Sequence, residues 1–185
     1  MACSELTRRS FLSTANVGPA GLALGAPQPA PVVSVVRIKN DNIPAAVEQA
    51  IELLGGIGNV TKGKERILLK PNLVAPVPNA TTNREVVASL ARLMKAAHKD
   101  VSIGEGSAAA EGFNAQGTEI FRTRNGERLG RMQSHVYEKL GYSEIGKSLR
   151  VPLVNLHVGE MVKVKVPGGF VYDEVTIHRA LAETD

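Results

Sequence analysis

The feature that most constrains the fold is an alternation of short apolar runs and longer amphipathic stretches between residues 32 and 104. The run Val-Val-Ser-Val-Val-Arg-Ile at 32–38 is short and β-branched, which is typical of a buried strand. Runs of similar character follow at 66–70 and 101–104, with helical periodicity between them. Strands that alternate with helices pair in parallel through right-handed crossovers. The sequence therefore predicts an α/β fold, a mainly parallel layered sheet with helical crossovers.

The two intervening helices carry their own start and stop signals. Asn40-Asp41-Asn42 supplies capping side chains before the first helix, Pro44 suits its first turn, and Gly55-Gly56 ends it. The second helix begins with a capping-box pattern, in which Glu85 follows Thr82 by three residues. The predicted apolar stripes are Val47, Ala50, Ile51 and Leu54 on the first helix, and Val86, Leu90, Leu93, Met94 and Ala97 on the second.

After Gly104 the periodicity is weaker, and residues 105–117 read as a loop rich in Gly, Ala and Ser. Alternating valines and lysines at 162–166 indicate a half-exposed strand, and Gly168-Gly169 is typical of a hairpin turn. The predicted elements in this half are helices over 133–140 and 143–149, and strands over 151–156, 162–166 and 170–172.

The first thirty residues have the layout of an export signal. The adjacent Arg8 and Arg9 precede Phe11 and Leu12, a weakly apolar run continues to residue 26, and prolines follow from residue 27. An arginine pair in this order indicates the twin-arginine route and an exported, periplasmic or extracytoplasmic location. The alternative is a disordered N-terminus with a chance arginine pair. We therefore predict a signal and linker over 1–30 and a single α/β domain over 31–185.

Composition excludes several classes of protein. Aromatic residues make up 4% of the chain without any tryptophan, and the net charge is only +4, so we expect no nucleic-acid partner. The sequence contains no run of 18 consecutive apolar residues, so we expect no membrane-spanning helix. The single cysteine, Cys3, excludes an internal disulfide and an iron–sulfur cluster held by this chain alone. The histidines lack metal-binding spacing, and surface or capping roles are expected for them: His98, His135, His157 and His178.

Three segments are expected at the carboxyl edge of the sheet, where open parallel sheets bind ligands. Lys70-Pro71-Asn72 follows one strand, Gly104-Glu105-Gly106-Ser107 follows another, and Thr81-Thr82-Asn83 begins a helix whose dipole favours an anion. We predict a site for a phosphate or carboxylate, in which small residues form a cradle of backbone N–H groups. Lys70 would supply the counter-charge, and Glu105 would contact a hydroxyl or a metal.

Each of these segments also has a purely structural interpretation. Thr82 is then a helix cap, Lys70 the solvated end of a strand, and Gly104 and Gly106 turn residues. The segment after Gly104 fits neither a dinucleotide fingerprint nor a Walker loop, and no Gly-x-Ser-x-Gly elbow is present. The sequence therefore predicts neither a catalytic residue nor a metal ligand, and it leaves open whether the chain is an enzyme.

Several motifs together resemble the domain-of-unknown-function 362 (DUF362) family over the region from Val32 to the last residue. They are Ile-Leu-Leu-Lys-Pro-Asn-Leu-Val at 67–74, Thr-Thr-Asn-Arg-Glu-Val-Val at 81–87, Val-Ser-Ile-Gly-Glu-Gly-Ser at 101–107, Leu-Gly-Tyr at 140–142 and Val-Pro-Leu-Val-Asn-Leu at 151–156. The resemblance implies an association with iron–sulfur redox modules, without implying a particular reaction. The family pattern continues beyond Asp185. We therefore expect the N-terminal part of a longer protein, with a sheet incomplete at its C-terminus.

Three functional hypotheses follow. The first is an exported, redox-associated protein that binds a small anion, with any iron–sulfur cluster supplied by a missing region or a redox partner protein. The second is a non-catalytic extracytoplasmic module that binds a small anion or a partner protein. The third is an inactive truncated fragment.

Overall fold

Three parallel strands form the main sheet of the protein, for which we describe a computed structural model covering residues 31–107 and 125–185. They are β1 (Arg66–Leu69), β2 (Asp100–Glu105) and β3 (Leu153–Asn155), in the order β1-β2-β3. Ile103 of the central strand pairs with Leu69 on one side and Leu153 on the other. The predicted α/β fold is confirmed. The predicted signal at 1–30, with Arg8 and Arg9, and residues 108–117 of the predicted loop lie outside the described residues.

Six α-helices accompany the strands in the described residues. The helix α4 begins at Gly126, seven residues before the predicted start, because the Asn125 side chain accepts a hydrogen bond from the Arg128 amide at 2.9 Å and caps the helix. The helices are α1 (Ile43–Glu52), α2 (Ile57–Val60), α3 (Arg84–Ala96), α4 (Gly126–Lys139), α5 (Tyr142–Leu149) and α6 (Arg179–Ala182), with a 3₁₀ turn at Pro78–Ala80. None of those in the described ranges is long and apolar enough to cross a membrane.

A separate antiparallel pair, β4 (Met161–Lys165) and β5 (Glu174–His178), follows the main sheet. The predicted strand at 170–172 is wrong. Phe170, Val171 and Tyr172 are exposed in a long turn, and the Val166 amide donates to the Asp173 carbonyl at 2.8 Å to close the hairpin. Pro167 lacks an amide donor, so strand pairing ends at this point and resumes only beyond the turn.

The β-branched run at 32–38 forms no strand among the described residues, so this prediction is also wrong. Val33 and Val35 are 81% and 87% exposed. A strand gains its stability from a neighbouring strand and from a surface that covers its side chains, and β-propensity alone supplies neither.

The N-terminus of α3 also departs from the prediction. Asn83, and not Thr82, caps the helix by accepting from the Glu85 amide at 2.8 Å. The buried face is turned relative to the predicted one, since Val86, Leu90 and Leu93 are only half-buried. The residues of α3 that are buried are Val87, Ala88, Ser89, Ala91 and Met94.

The hydrophobic core lies where α3, α4 and α5 pack on the main sheet. Ile103, at the middle of the central strand, is fully buried. Its best-buried partners in this core are Leu73, Ala88, Ala91, Met132, Val136 and Tyr142.

We predict that Ile103→Ala lowers the free energy of unfolding by about 2–5 kcal/mol, because it leaves a cavity under the central strand. Val35→Ala removes atoms from a side chain that is 87% exposed and should change it by less than about 0.5 kcal/mol. Urea unfolding followed by circular dichroism measures both values. A loss in Val35→Ala as large as that in Ile103→Ala would show that the 32–38 segment is packed after all.

Candidate functional site

An ion pair joins the carboxyl ends of β1 and β2. The Lys70 Nζ lies 3.1 Å from Glu105 Oε2, with the lysine side chain 54% exposed and the glutamate only 8% exposed. A buried carboxylate requires a partner, and Lys70 supplies it. The sequence-predicted counter-charge of the site is therefore already engaged with Glu105.

The backbone amides of residues 105–107, at the end of β2, are occupied. The Glu105 amide donates to the Tyr137 hydroxyl at 3.0 Å, and the Gly106 amide donates to Glu105 Oε1 at 2.7 Å. The Ser107 amide donates to Gln133 Oε1 at 2.8 Å. The predicted cradle of amides is thus filled by the protein's own oxygens, and donors for a ligand at this point would come from side chains.

Tyr137 of α4 connects the two strands at this edge. Its hydroxyl accepts from the Glu105 amide of β2 and donates to the Val154 carbonyl of β3 at 2.7 Å. Burial is the main cause that raises the pKa of Tyr137 above its ordinary value, and the hydrogen bond from the Glu105 amide lowers it. Burial also raises the pKa of Tyr142 to about 12. Both phenols therefore stay neutral and able to donate.

The glycines at the end of β2 lie close to neighbouring side chains. A Cβ on Gly104 would lie 2.9 Å from Leu68 Cδ1, and a Cβ on Gly106 would lie 3.3 Å from the Nε2 of His157. That nitrogen lies 2.8 Å from the Ser107 carbonyl oxygen. His157 is exposed, as predicted, but it also joins the end of β3 to the segment after β2.

Reciprocal hydrogen bonds hold the loop after β1 against the start of α3. The Asn72 amide donates to Thr82 Oγ1 at 2.8 Å, and the Thr82 amide donates to the Asn72 carbonyl at 3.0 Å. The Tyr142 hydroxyl donates to the Thr82 carbonyl at 3.2 Å. The segments 70–72 and 81–83 are therefore brought together, and Lys70 connects them to Glu105.

A cavity of about 350 Å³ opens at the N-terminus of α3. Arg84 lies 3.5 Å from Glu85 and 3.6 Å from Glu144, and it occupies the space that a Cβ on Gly141 would need. Lys139 projects from the last turn of α4. The lining residues are Pro78, Asn79, Thr81, Thr82, Asn83, Arg84, Lys139, Leu140 and Tyr142.

Sequence reasoning found part of this arrangement. Thr81, Thr82 and Asn83 line the cavity, whereas Lys70, Asn72 and the 104–107 segment do not. It missed Arg84 and Lys139, although helix ends at the carboxyl edge of a sheet are a usable signal. The functions of Gln133 and Tyr137 had no sequence signal, because they depend on how α4 packs against β2.

The described residues contain no group of three or more His, Cys, Asp or Glu side chains that could together hold a metal ion. Glu105, the acidic residue that the sequence placed in the site, is bonded to Lys70 and to the Gly106 amide. The arrangement of this edge is therefore one of hydrogen-bond donors and cations.

Two comparisons with known proteins yielded matches. The model of a family described as "Domain of unknown function (DUF362)" matches residues 67–185. A thylakoid-associated protein of Synechocystis sp. is 30% identical over 133 residues, which cover 69% of this chain and 35% of that protein. The chain thus spans about a third of the length of this curated relative. No solved structure matches the chain significantly.

We predict that Tyr137→Phe lowers the free energy of unfolding at neutral pH by about 1–3 kcal/mol, because it removes the buried hydroxyl that bonds the Glu105 amide and the Val154 carbonyl to α4. Since the folded-state pKa is raised above the ordinary value of 10.0, the stability contributed by the phenol is complete below pH 10 and lost as pH rises above it. The variant should therefore lose stability less steeply than the unaltered protein between about pH 10 and 11.

Urea unfolding at neutral and alkaline pH tests both statements. Tyr172→Phe, which removes the hydroxyl of an exposed tyrosine, is the matched control and should leave the neutral-pH stability unchanged. Equal stabilities of the Tyr137→Phe and Tyr172→Phe proteins at neutral pH would contradict the proposed connection between the strands.

Proposed function

This chain belongs to the DUF362 family, and we propose that it binds a small anionic ligand at the carboxyl edge of its parallel sheet. The ligand occupies the cavity at the N-terminus of α3. The observation that carries the proposal is the meeting of Arg84 and Lys139 with the start of this 13-residue helix in one cavity of about 350 Å³.

Charge and hydrogen bonding in the cavity suit a phosphate or a carboxylate. The helix dipole favours an anion at the start of α3, where Asn83 already accepts from the Glu85 amide. Arg84 is shared between two exposed carboxylates at more than 3.4 Å, so it retains donors for a ligand. Among the described residues, no carboxylate pairs with Lys139. Thr81 and Thr82 add hydroxyl groups to the wall.

The remaining predicted residues form the rim beside this cavity. The Asn72 amide holds the Thr82 side chain in place by a hydrogen bond. Lys70 neutralises the buried Glu105 carboxylate, so Arg84 and Lys139 remain available to pair with the anion. Gly104, Gly106 and Ser107 continue this rim along the end of β2. In this proposal Lys70 neutralises Glu105 and does not contact the ligand.

We predict that inorganic phosphate binds to the unaltered protein and that Arg84→Ala and Lys139→Ala each weaken its binding by about tenfold, the effect expected for one charge-assisted hydrogen bond. Isothermal titration calorimetry at low salt measures the affinities. Arg92→Ala removes the same charge from an exposed position on the same helix and should leave them unchanged. Equal affinities in Arg84→Ala and Arg92→Ala, or no phosphate binding at all, would refute the site.

Export by the twin-arginine route is the second part of the proposal. It is supported by the order of Arg8 and Arg9, the weakly apolar run and the prolines. This route carries folded proteins, which suits a domain that acts beside a redox partner. Because the single cysteine, Cys3, lies within the predicted signal, an iron–sulfur cluster would be held by that partner or by a further region of the protein.

We predict that residues 1–31 direct a folded fluorescent reporter out of the bacterial cytoplasm and that replacing both Arg8 and Arg9 by Lys abolishes this export. The receptor recognises the arginine pair itself, so preserving the charge does not preserve the signal. Cell fractionation measures the location of the reporter. The control is a longer fusion that includes residue 39, in which Lys39 is replaced by Arg. This exchange of one basic residue for another lies outside the predicted signal and should leave export unchanged. Unchanged export in the double variant would show that another feature addresses the chain.

A further inference from the structure

Two buried polar groups at the end of the central strand lack hydrogen-bond partners. They are the Ser107 hydroxyl and the Gln133 amide nitrogen, on residues that are each 1% exposed. Within the part of the chain that the structure describes, no other buried side-chain nitrogen or oxygen is left unpaired. Gln133 approaches the Tyr137 phenol, but its nitrogen has no partner at hydrogen-bond geometry. Both groups are donors, and buried donors without an acceptor destabilise a fold.

The two groups belong to one local structure. The Ser107 amide donates to Gln133 Oε1 at 2.8 Å, so the serine and the glutamine side chain are already bonded to each other. They lie at the carboxyl end of β2, the central strand, where an open parallel sheet places its ligands. Gln133 also lines a cavity of about 390 Å³ between α4 and β3, together with Tyr137, Leu153 and Val158.

Comparable buried groups elsewhere in the fold are satisfied. The Ser89 hydroxyl donates to the Glu85 carbonyl at 2.7 Å, and the Thr61 hydroxyl donates to the Ile57 carbonyl at 2.8 Å. Both bonds use a backbone carbonyl one helical turn away. Ser107 follows a strand, and its hydroxyl has no acceptor among the described residues, so an acceptor oxygen of a ligand would satisfy it.

We propose that Ser107 and Gln133 together bind an acceptor oxygen of a ligand, and that this oxygen belongs to a carbonyl-type group, either an amide or a carboxylate. The donors are neutral, and the nearest charges, Lys70 and Glu105, compensate each other. Because this pair is neutral overall, it offers no excess positive charge to hold a dianion such as phosphate, whereas a neutral or singly charged oxygen needs only the two donors. This subsite goes beyond the proposed function, because neither Ser107 nor Gln133 lines the cavity at α3.

If Ser107 and Gln133 bind a ligand, substitutions there should reduce ligand affinity without the loss of stability that a purely structural role would cause. Ser107→Ala removes an unsatisfied hydroxyl, so the urea midpoint should stay the same or rise, while the affinity for the probes acetate and acetamide falls about tenfold. Gln133→Glu keeps an oxygen for the Ser107 amide but loses the donor, and its affinity should fall as well. Ser89→Ala is the matched control, since it removes a buried serine hydroxyl that is bonded. It should lower the midpoint and leave the affinity unchanged.

Titration of the ¹⁵N-labelled protein with acetate and with acetamide, followed by nuclear magnetic resonance, reads the site directly. The Gln133 side-chain signals, assigned with the Gln133→Glu protein, should shift with the probe, and they should shift equally in Arg84→Ala, which reports on the α3 cavity instead. A shift with both probes identifies a carbonyl oxygen, and a shift with acetate alone identifies a carboxylate. Unmoved Gln133 signals, a long-lived water bound to the amide, or a Ser107→Ala midpoint that falls as far as that of Ser89→Ala would each overturn the proposal.

Discussion

The hydroxyl of Tyr137 is the interaction on which the carboxyl edge of the sheet depends. It accepts from the Glu105 amide of β2, donates to the Val154 carbonyl of β3, and so fixes helix α4 to both strands at the point where they end. Gln133 lies one turn earlier on the same helix and binds the Ser107 amide. The position of α4 therefore determines which donors remain available beyond β2. The strands pair with each other independently of Tyr137, and its hydroxyl adds the hydrogen bonds that join the helix to their ends.

The carboxyl edge of the sheet has two regions that differ in charge and in their hydrogen-bond donors. Around Glu105 the charges compensate each other and the amides of Gly106 and Ser107 are bonded, and the buried donors without a partner in the described residues are the neutral groups of Ser107 and Gln133. At the start of α3, the charged side chains that line the cavity are both cations, Arg84 and Lys139, and they lie beside a helix N-terminus. These differences are the basis for proposing a phosphate-like anion at α3 and a carbonyl oxygen at β2.

Local sequence patterns predicted the elements that local forces determine. The strands near 66–70 and 101–104 and the first helix lie where periodicity and capping placed them, and the rule for parallel sheets brought 70–72 beside 81–83. The local pattern could not predict which elements contact each other in the folded protein. The 32–38 run has the composition of a strand but no neighbour in the described residues, and Tyr137 has its function only because β2 and β3 end beneath it. Such tertiary contacts outweigh propensity.

The glycines at this edge show how the site acquires its shape. The sequence assigned Gly104 and Gly106 to close approach by a ligand, but the space that their side chains would need is filled by Leu68 and by the His157 imidazole. These glycines therefore serve packing of the protein against itself. A rim whose small residues are already in contact with their neighbours has little freedom to rearrange. Its remaining donors are held in place before a ligand arrives, and a site that is organised in advance loses less conformational entropy on binding.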